Sequence, residues 1–307
     1  MKNTRSFAES TDREKESSII KVIGIGDGGC VVVDKIYRSG CRFCDFRICH
    51  SDADSLHEYE VPEKYQLNSE KIVPKIFGKR TLMVFLVAFR EHNAINELTV
   101  IGRIAKKQGF LTVALVAGLF NEEEMRDKSI KGLREDLDAI FFYRHTKLEV
   151  PIKDSVSIGP VRETYDAMEI TIRGIIEMIK YPSLLSCFDY ADVRNALQDS
   201  GMVTLAVGEG EGPSRIEQAL SQAFNCETLK EFDCSTANRV LINITLLGDS
   251  DIDLSEINEI YRAVEYRVAD KRKIKGNLIS HKAPELGDRI RIILFYIGVK
   301  MKKTPIQ

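Results

Sequence analysis

The chain has 307 residues, 44 lysines and arginines against 46 aspartates and glutamates, and a hydrophobic fraction of 44%. That length holds one large domain or two of ordinary size and buries a proper core, which excludes general disorder. A net charge of −2 excludes a nucleic-acid binder that works through bulk electrostatics, and the longest apolar runs, 82–89 and 290–299, are too short to span a bilayer.

Residues 1–18 are mostly polar and charged, without an apolar leader, and read as a disordered extension. Seven cysteines, an odd number without regular spacing, fit a reducing cytoplasm rather than a disulfide framework. Residues 19–25 form a β-branched apolar run that closes on Gly24-Ile-Gly-Asp-Gly-Gly29, and 31–37 have helical character. Strand, glycine turn and helix together make the opening of a nucleotide-binding α/β unit. Further strands are expected at 46–49, 82–88, 111–117 and 139–143, with helices at 98–107 and 122–133. Strands alternating with helices predict a mostly parallel sheet covered on both faces.

From residue 161 the pattern changes. Val161, Tyr165, Met168, Ile172, Ile175, Ile176 and Ile179 recur at helical spacing, so 161–180 is a long amphipathic helix that Tyr181-Pro182 ends. Beyond it, strands are expected at 203–207, 240–246 and 290–298. Two helices carry N-cap patterns, Ser214-Arg-Ile-Glu217 and Asp253-Leu-Ser-Glu256. The reading is a Rossmann-like parallel-sheet domain over 19–182, a smaller α+β domain over 183–300, the long helix between them, and a short tail at 301–307.

Several strings resemble the FtsZ family of bacterial tubulin homologues. They are Lys21-Val-Ile-Gly-Ile-Gly-Asp-Gly-Gly29, Phe46-Arg-Ile-Cys-His-Ser-Asp52, Met83-Val-Phe-Leu-Val-Ala88, Leu111-Thr-Val-Ala-Leu-Val116 and Arg173-Gly-Ile-Ile-Glu-Met-Ile179. Val240-Leu-Ile-Asn-Ile-Thr245 and Gly287-Asp-Arg-Ile-Arg-Ile292 carry the match to about residue 300. The most specific is Phe188-Asp-Tyr-Ala-Asp-Val193, which looks like that family's synergy loop. The resemblance implies a GTPase-type fold, GTP or GDP on glycine loops, and a neighbouring subunit whose synergy loop positions the attacking water. It therefore implies a cytoplasmic filament subunit in cell division, with itself or an authentic family subunit as partner. No nucleic acid or direct membrane contact is expected, and the family's flexible linker and anchor-binding tail are not visible.

On the nucleotide face, Gly26, Asp27, Gly28, Gly29 and Asp166 fall at positions that hold GTP in the family. Bare backbone N–H groups at a helix start suit a phosphate, or the glycines serve only a tight strand–helix turn. Asp27 replaces a further glycine and sets a carboxylate beside the triphosphate. The family's glycine-threonine run is here Phe89-Arg-Glu-His-Asn-Ala-Ile-Asn96, without glycine. Another phosphate loop is deleted between Asp52 and Met83, and Glu122 or Glu123 and Arg126 are the candidates for the ribose and phosphate contacts. Val161 and Tyr165 stand where the family has a base-stacking aromatic and a guanine-reading asparagine. The site is read as degenerate; the alternative is a working GTPase rebuilt around Gly26–Gly29 and Arg90.

On the other face, Asp189 and Asp192 match the two acidic synergy positions, with Cys187 replacing an asparagine. They act in trans on a neighbour's γ-phosphate, cap a helix starting near Val193, or both. Two weaker patterns remain. Gly24-x-Gly-x-x-Gly29 with Asp45 or Asp52 also fits a dinucleotide fingerprint and an NAD-dependent enzyme. Cys41-Arg-Phe-Cys44 with Cys49-His50 fits a zinc knuckle, although Cys49 falls within a strand and reads better as a small core residue; no metal is expected.

Overall fold

The computed structural model describes residues 18–90, 93–118, 128–144, 160–185, 188–247, 251–269, 273–280 and 288–302. The chain begins with β1 (Ile20–Ile25), α1 (Gly26–Arg38), β2 (Asp45–His50), α2 (Ala53–Leu56), β3 (Glu63–Gln66) and α3 (Val73–Phe77). It continues with β4 (Met83–Phe89), α4 (Ala94–Lys107), β5 (Leu111–Gly118), α5 (Lys128–Asp136) and β6 (Ala139–Arg144). The long helix is α6 (Pro160–Lys180), followed by α7 (Tyr190–Leu197), β7 (Gly201–Gly210), α8 (Arg215–Phe224) and the two-residue β8 (Phe232–Asp233). Last come β9 (Arg239–Leu246), α9 (Leu254–Glu265), β10 (Ile274–Ser280), β11 (Ile290–Ile297) and β12 (Lys300–Met301).

Ten strands form one sheet in the order β10-β9-β11-β7-β6-β5-β4-β1-β2-β3. From β7 through β3 every pairing is parallel, while β11 runs antiparallel between β7 and β9. Strands β1, β4 and β5 are buried along their whole length, which is why they read as unbroken apolar runs rather than as alternation. Helices α1, α6 and α7 cover one face; α3, α4, α5, α8 and α9 cover the other.

The central helix touches both halves. Its Thr171 shares a 2.6 Å hydrogen bond with Tyr143 on β6, while its Gly174 lies close against Ile293 and Phe295 of β11. Glu177 accepts from Asn243 of β9 (3.2 Å) and Arg291 of β11 (3.1 Å). The sheet itself runs on across residue 182, since β6 pairs with β7 from Ala139↔Gly201 to Phe141↔Val203. The first-half architecture and the second unit of mixed strands and helices accord with the sequence reading.

Several details differ from it. The first helix starts at Gly26, inside the glycine turn, and α4 starts at Ala94, four residues before the apolar stripe. The helix after Asp189 starts at Tyr190 rather than near Val193. Strands β3 and β10 were not foreseen: β3 is a four-residue edge strand with an exposed or half-exposed face, and β10 carries Gly276 and Asn277 in its middle. Ser214 makes no capping bond, whereas Asp253 and Glu256 form the expected capping box. Of the helix expected at 122–133, only the part from Lys128 is described; Glu122, Glu123, Arg126, the extension through residue 17 and the tail from 303 lie outside the described residues.

Candidate functional site

Parallel sheets place ligands at the carboxyl ends of their strands. Here β1 ends at Ile25, β2 at His50 and β4 at Phe89, and the glycine turn lies among them. Gly26 adopts φ 70°, a left-handed backbone that suits glycine. The next two glycines are set by close approach: a Cβ on Gly28 would sit 2.5 Å from Phe89 Cγ, and one on Gly29 would sit 2.2 Å from the Val87 carbonyl oxygen. Each glycine of the turn therefore has a steric reason to be there that involves protein atoms alone.

The Phe89 contact sets what covers the turn. Phe89 is the last residue of β4, and its ring lies on the first turn of α1, where a phosphate would need open N–H groups. Tyr165 of α6 meets that ring edge-on, centroids 5.6 Å apart, and both side chains are buried. The pair forms an aromatic plug. Gly26, Gly28 and Gly29 are buried beneath it, and only Asp27 in the turn is partly exposed.

Charged side chains lie around the plug. Asp27 Oδ1 accepts from His50 Nε2 at 3.1 Å. His50 Nδ1 lies 3.0 Å from the Asp52 backbone nitrogen and 3.1 Å from the Asp52 carbonyl oxygen, which orients Nε2 toward Asp27. Glu97, in the first turn of α4, has its carboxyl raised above the ordinary carboxylate range by burial, with His50 opposing that shift. Two acids and one imidazole thus lie near the carboxyl ends of β2 and β4, beside the glycine turn. Asp166 is half-exposed and accepts from Lys35 of α1 at 2.7 Å.

Two segments flank the ends of these strands. Arg90 extends the β4 ladder, its N–H donating to the Ala117 carbonyl at 2.8 Å, and α4 begins at Ala94. His92 lies outside the described residues, as does the side chain of Val161. Between β2 and β4 the chain forms α2, β3 and α3. Asp34 anchors it: fully buried, its Oδ1 accepts from the N–H groups of Glu60 (2.6 Å) and Val61 (3.0 Å). Sequence reasoning missed the roles of Phe89, His50 and Asp34. For Phe89 a signal existed, because an aromatic closing a buried strand where the family turns on glycine has to pack somewhere.

The opposite end of the sheet carries the acidic pair. Asp189 N-caps α7, its Oδ1 accepting from the N–H groups of Ala191 (2.7 Å) and Asp192 (3.2 Å), while Asp192 Oδ2 accepts back from Asp189 N–H at 3.4 Å. Asp192 Oδ1 also takes Lys275 Nζ of β10 at 2.5 Å. The loop sits at the amino ends of the parallel strands, as Tyr190 Oη donates to the Leu82 carbonyl at 2.8 Å. Cys187 lies outside the described residues. Replacing Asp189 by alanine is expected to lower stability by about 1 kcal/mol, the usual cost of a lost N-cap, as checked by urea denaturation.

The cysteine–histidine pattern does not converge. Cys49 is buried in the core, His50 faces Asp27, and Cys41 and Cys44 lie in the turn before β2. Among the described residues no three His, Cys, Asp or Glu side chains are grouped to hold a metal, and no helix is long and apolar enough to cross a membrane.

A glycine-turn α/β half, a central helix and a second half joined through one continuous sheet define the tubulin/FtsZ class of filament proteins. Residues 201–300 match the FtsZ family, C-terminal domain. Over 318 residues the chain is 29% identical to the cell division protein FtsZ of Porphyromonas gingivalis, spanning 93% of this chain and 68% of that protein. It is 24% identical to its counterpart in Pseudomonas putida, spanning 95% of this chain and 79% of that protein. The empty FtsZ dimer of M. jannaschii superposes with a TM-score of 0.74 at 20% identity, covering 96% of this chain and 95% of that one. The GDP-form protofilament of TubZ from Bacillus thuringiensis serovar israelensis gives 0.68 at 12% identity, covering 93% and 90%. Along most of its length the chain is similar to FtsZ-family proteins.

Proposed function

We propose that this chain is a cytoplasmic FtsZ-family filament subunit in cell division whose own guanine-nucleotide site is closed. It docks its Asp189–Asp192 end onto the nucleotide end of a nucleotide-binding family member and modulates or terminates that filament. The observation that carries the closed site is the Phe89 ring against Gly28, backed by Tyr165. A phosphate and that ring cannot share the first turn of α1. Asp27 acts in the same direction, because a carboxylate beside a triphosphate lowers its affinity even with His50 at its side.

Docking through the other face draws on the ordered α7 start. Asp189 is exposed at the tip of its cap, and Asp192 is held by Lys275. In trans, these two acids orient a water toward a neighbour's γ-phosphate, a positioning role. TubZ and the GTPγS-bound CetZ2 of Haloferax volcanii, which share this fold, were solved as protofilaments, and an assembly of that kind is the setting for such a contact.

The test has two arms. The purified chain, denatured and assayed for released nucleotide and titrated with GTP by calorimetry, is expected to carry far less than one guanine nucleotide per chain and to show no saturable binding. Stoichiometric nucleotide would overturn the closed site and return the chain to the working GTPases. In the second arm, GTP turnover and sedimentation of a hydrolysing FtsZ are measured with an equimolar amount of this chain. A change in either is the expected result; no change in both removes the docking role and leaves the closed site standing.

A further inference from the structure

A cavity of about 530 Å³ lies on the face of the sheet covered by α8 and α9, and neither the glycine turn nor the Asp189–Asp192 loop lines it. That volume is ordinary for a small-molecule site. The ends of several elements meet there. Phe224 closes α8, Arg267 follows α9, and Tyr296 is the penultimate residue of β11. Phe232 of β8 and Lys302, just past β12, come from the two-stranded ribbon. Phe224, Leu229, Phe232 and Tyr296 give the cavity an apolar, aromatic lining, and Tyr266, 94% exposed, stands at its open side.

Two kinds of polar group on this lining are unspent. Tyr296 is fully buried, yet its hydroxyl has no hydrogen-bond partner among the described residues. A buried tyrosine ordinarily gives its O–H to an acceptor, so a lone donor in a cavity lining points to a ligand. Arg267 is the second. Its Cζ sits 3.7 Å from the centre of the Phe224 ring, which engages the face of the guanidinium and leaves the N–H groups in its plane for an acceptor. Among the described residues those groups meet no carboxylate. Lys302 adds a cation, its Nζ donating to the Leu229 carbonyl at 3.4 Å. Lys230 is neutralised by Glu227, and Asp233, which accepts from Ser235 Oγ at 2.6 Å, offsets one of the other two cations. One positive charge is left over beside the aromatic lining. Burial pushes the Cys234 thiol up to about 11 while Lys302 and Arg267 oppose it, so both cations act on the same wall.

We propose that this cavity binds a small aromatic monocarboxylate, its ring against Phe232 and Leu229 and its carboxylate on the in-plane N–H groups of Arg267, with Tyr296 and Lys302 as further donors. The class follows from the lining. An aliphatic acid would forfeit contact with the rings, and a neutral aromatic would bury Arg267 without an acceptor. A phosphate monoester carries more negative charge than the one net cation balances. Two coplanar oxygens also match the guanidinium fork, as a carboxylate provides.

Calorimetry of the whole chain with phenylacetate, phenylacetamide and phenyl phosphate tests the class. Phenylacetate is expected to bind saturably and about tenfold more tightly than its amide, which lacks the charge. Cys234 reports the place. Trypsin puts it in peptide 231–239, apart from Cys226 in 216–230, so mass spectrometry reads its alkylation by iodoacetamide separately. Phenylacetate should slow that alkylation. Arg267→Gln should weaken binding about tenfold and Tyr296→Phe about fivefold. Without ligand, Tyr296→Phe should be at least as stable as the wild type in urea, since it deletes a buried donor and breaks no bond. A destabilised Tyr296→Phe would show that the hydroxyl serves the fold and would remove it from the site. No saturable phenylacetate binding, or binding that leaves Cys234 alkylation and both variants' affinities unchanged, would overturn the site. Equal binding of the amide, or tighter binding of phenyl phosphate, would overturn the carboxylate.

Discussion

Gly28→Ala and Phe89→Ala, combined in a double-mutant cycle, are expected to be strongly non-additive. Alone, Gly28→Ala drives a methyl to 2.5 Å from Phe89 Cγ, in a contact where both partners are buried. Overpacking of this kind costs about 1–3 kcal/mol. Phe89→Ala empties a buried aromatic site against Tyr165 and costs about 3–5 kcal/mol. In the double variant the new methyl enters the space the ring has left, so the total should fall short of the sum by about 1 kcal/mol or more. Urea denaturation of the four proteins measures it. Additivity would mean that the ring does not rest on the turn, and the closed-site reading would lose its main support. The same experiment carries a functional arm: if the ring alone bars the phosphate, Phe89→Ala should bind GTP more tightly than the wild type.

The second large effect is expected at Arg215. This side chain is 7% exposed, donates to both carboxylate oxygens of Glu256 (2.7 and 2.8 Å), and also reaches the carbonyls of Asp251 (2.6 Å) and Asp288 (3.2 Å). It ties the start of α8 to the capping box of α9. Arg215→Met removes one partner of a mostly buried pair and should cost about 3–5 kcal/mol. A pH dependence goes with it. The hydrogen bond from Arg215 is the main cause that holds the Glu256 carboxyl below its ordinary value of 4.5 in the folded protein, against burial. A depressed folded value means stability that is present above about 4.5 and is lost as pH falls through the lower, folded value. The wild type should therefore lose stability below pH 4.5 more steeply than Arg215→Met. Parallel acid-side slopes for the two proteins would show that the pair is not coupled to α9.

Both predictions rest on contacts that no short stretch of sequence contains. Ser214-Arg-Ile-Glu217 reads as a capping motif, yet Ser214 makes no capping bond and its neighbour Arg215 holds the helix by reaching 41 residues ahead. The acidic pair at Asp189 and Asp192 was legible because a capping box needs only residues three apart, and the structure contains one. Its span was less legible, as Tyr190 begins the helix and carries no helical periodicity of its own.

What the chain alone determined was the order of elements. The strands that run unbroken and apolar, the 161–180 stripe and the glycine turn are local patterns, and burial on both faces imprints them directly on residue type. The thinning of the nucleotide loops was equally visible, because glycine is nearly alone in tolerating left-handed backbone and its absence is read at a glance. Tertiary structure decided the rest. Gly28 and Gly29 look like a phosphate cradle in one dimension; in three, Phe89 and the Val87 carbonyl press on them from β4, sixty residues away along the chain and next door in the sheet. Whether a bare backbone faces a ligand or a neighbour depends on what the parallel partner strand delivers to its carboxyl end, and that is set by packing between strands distant in sequence.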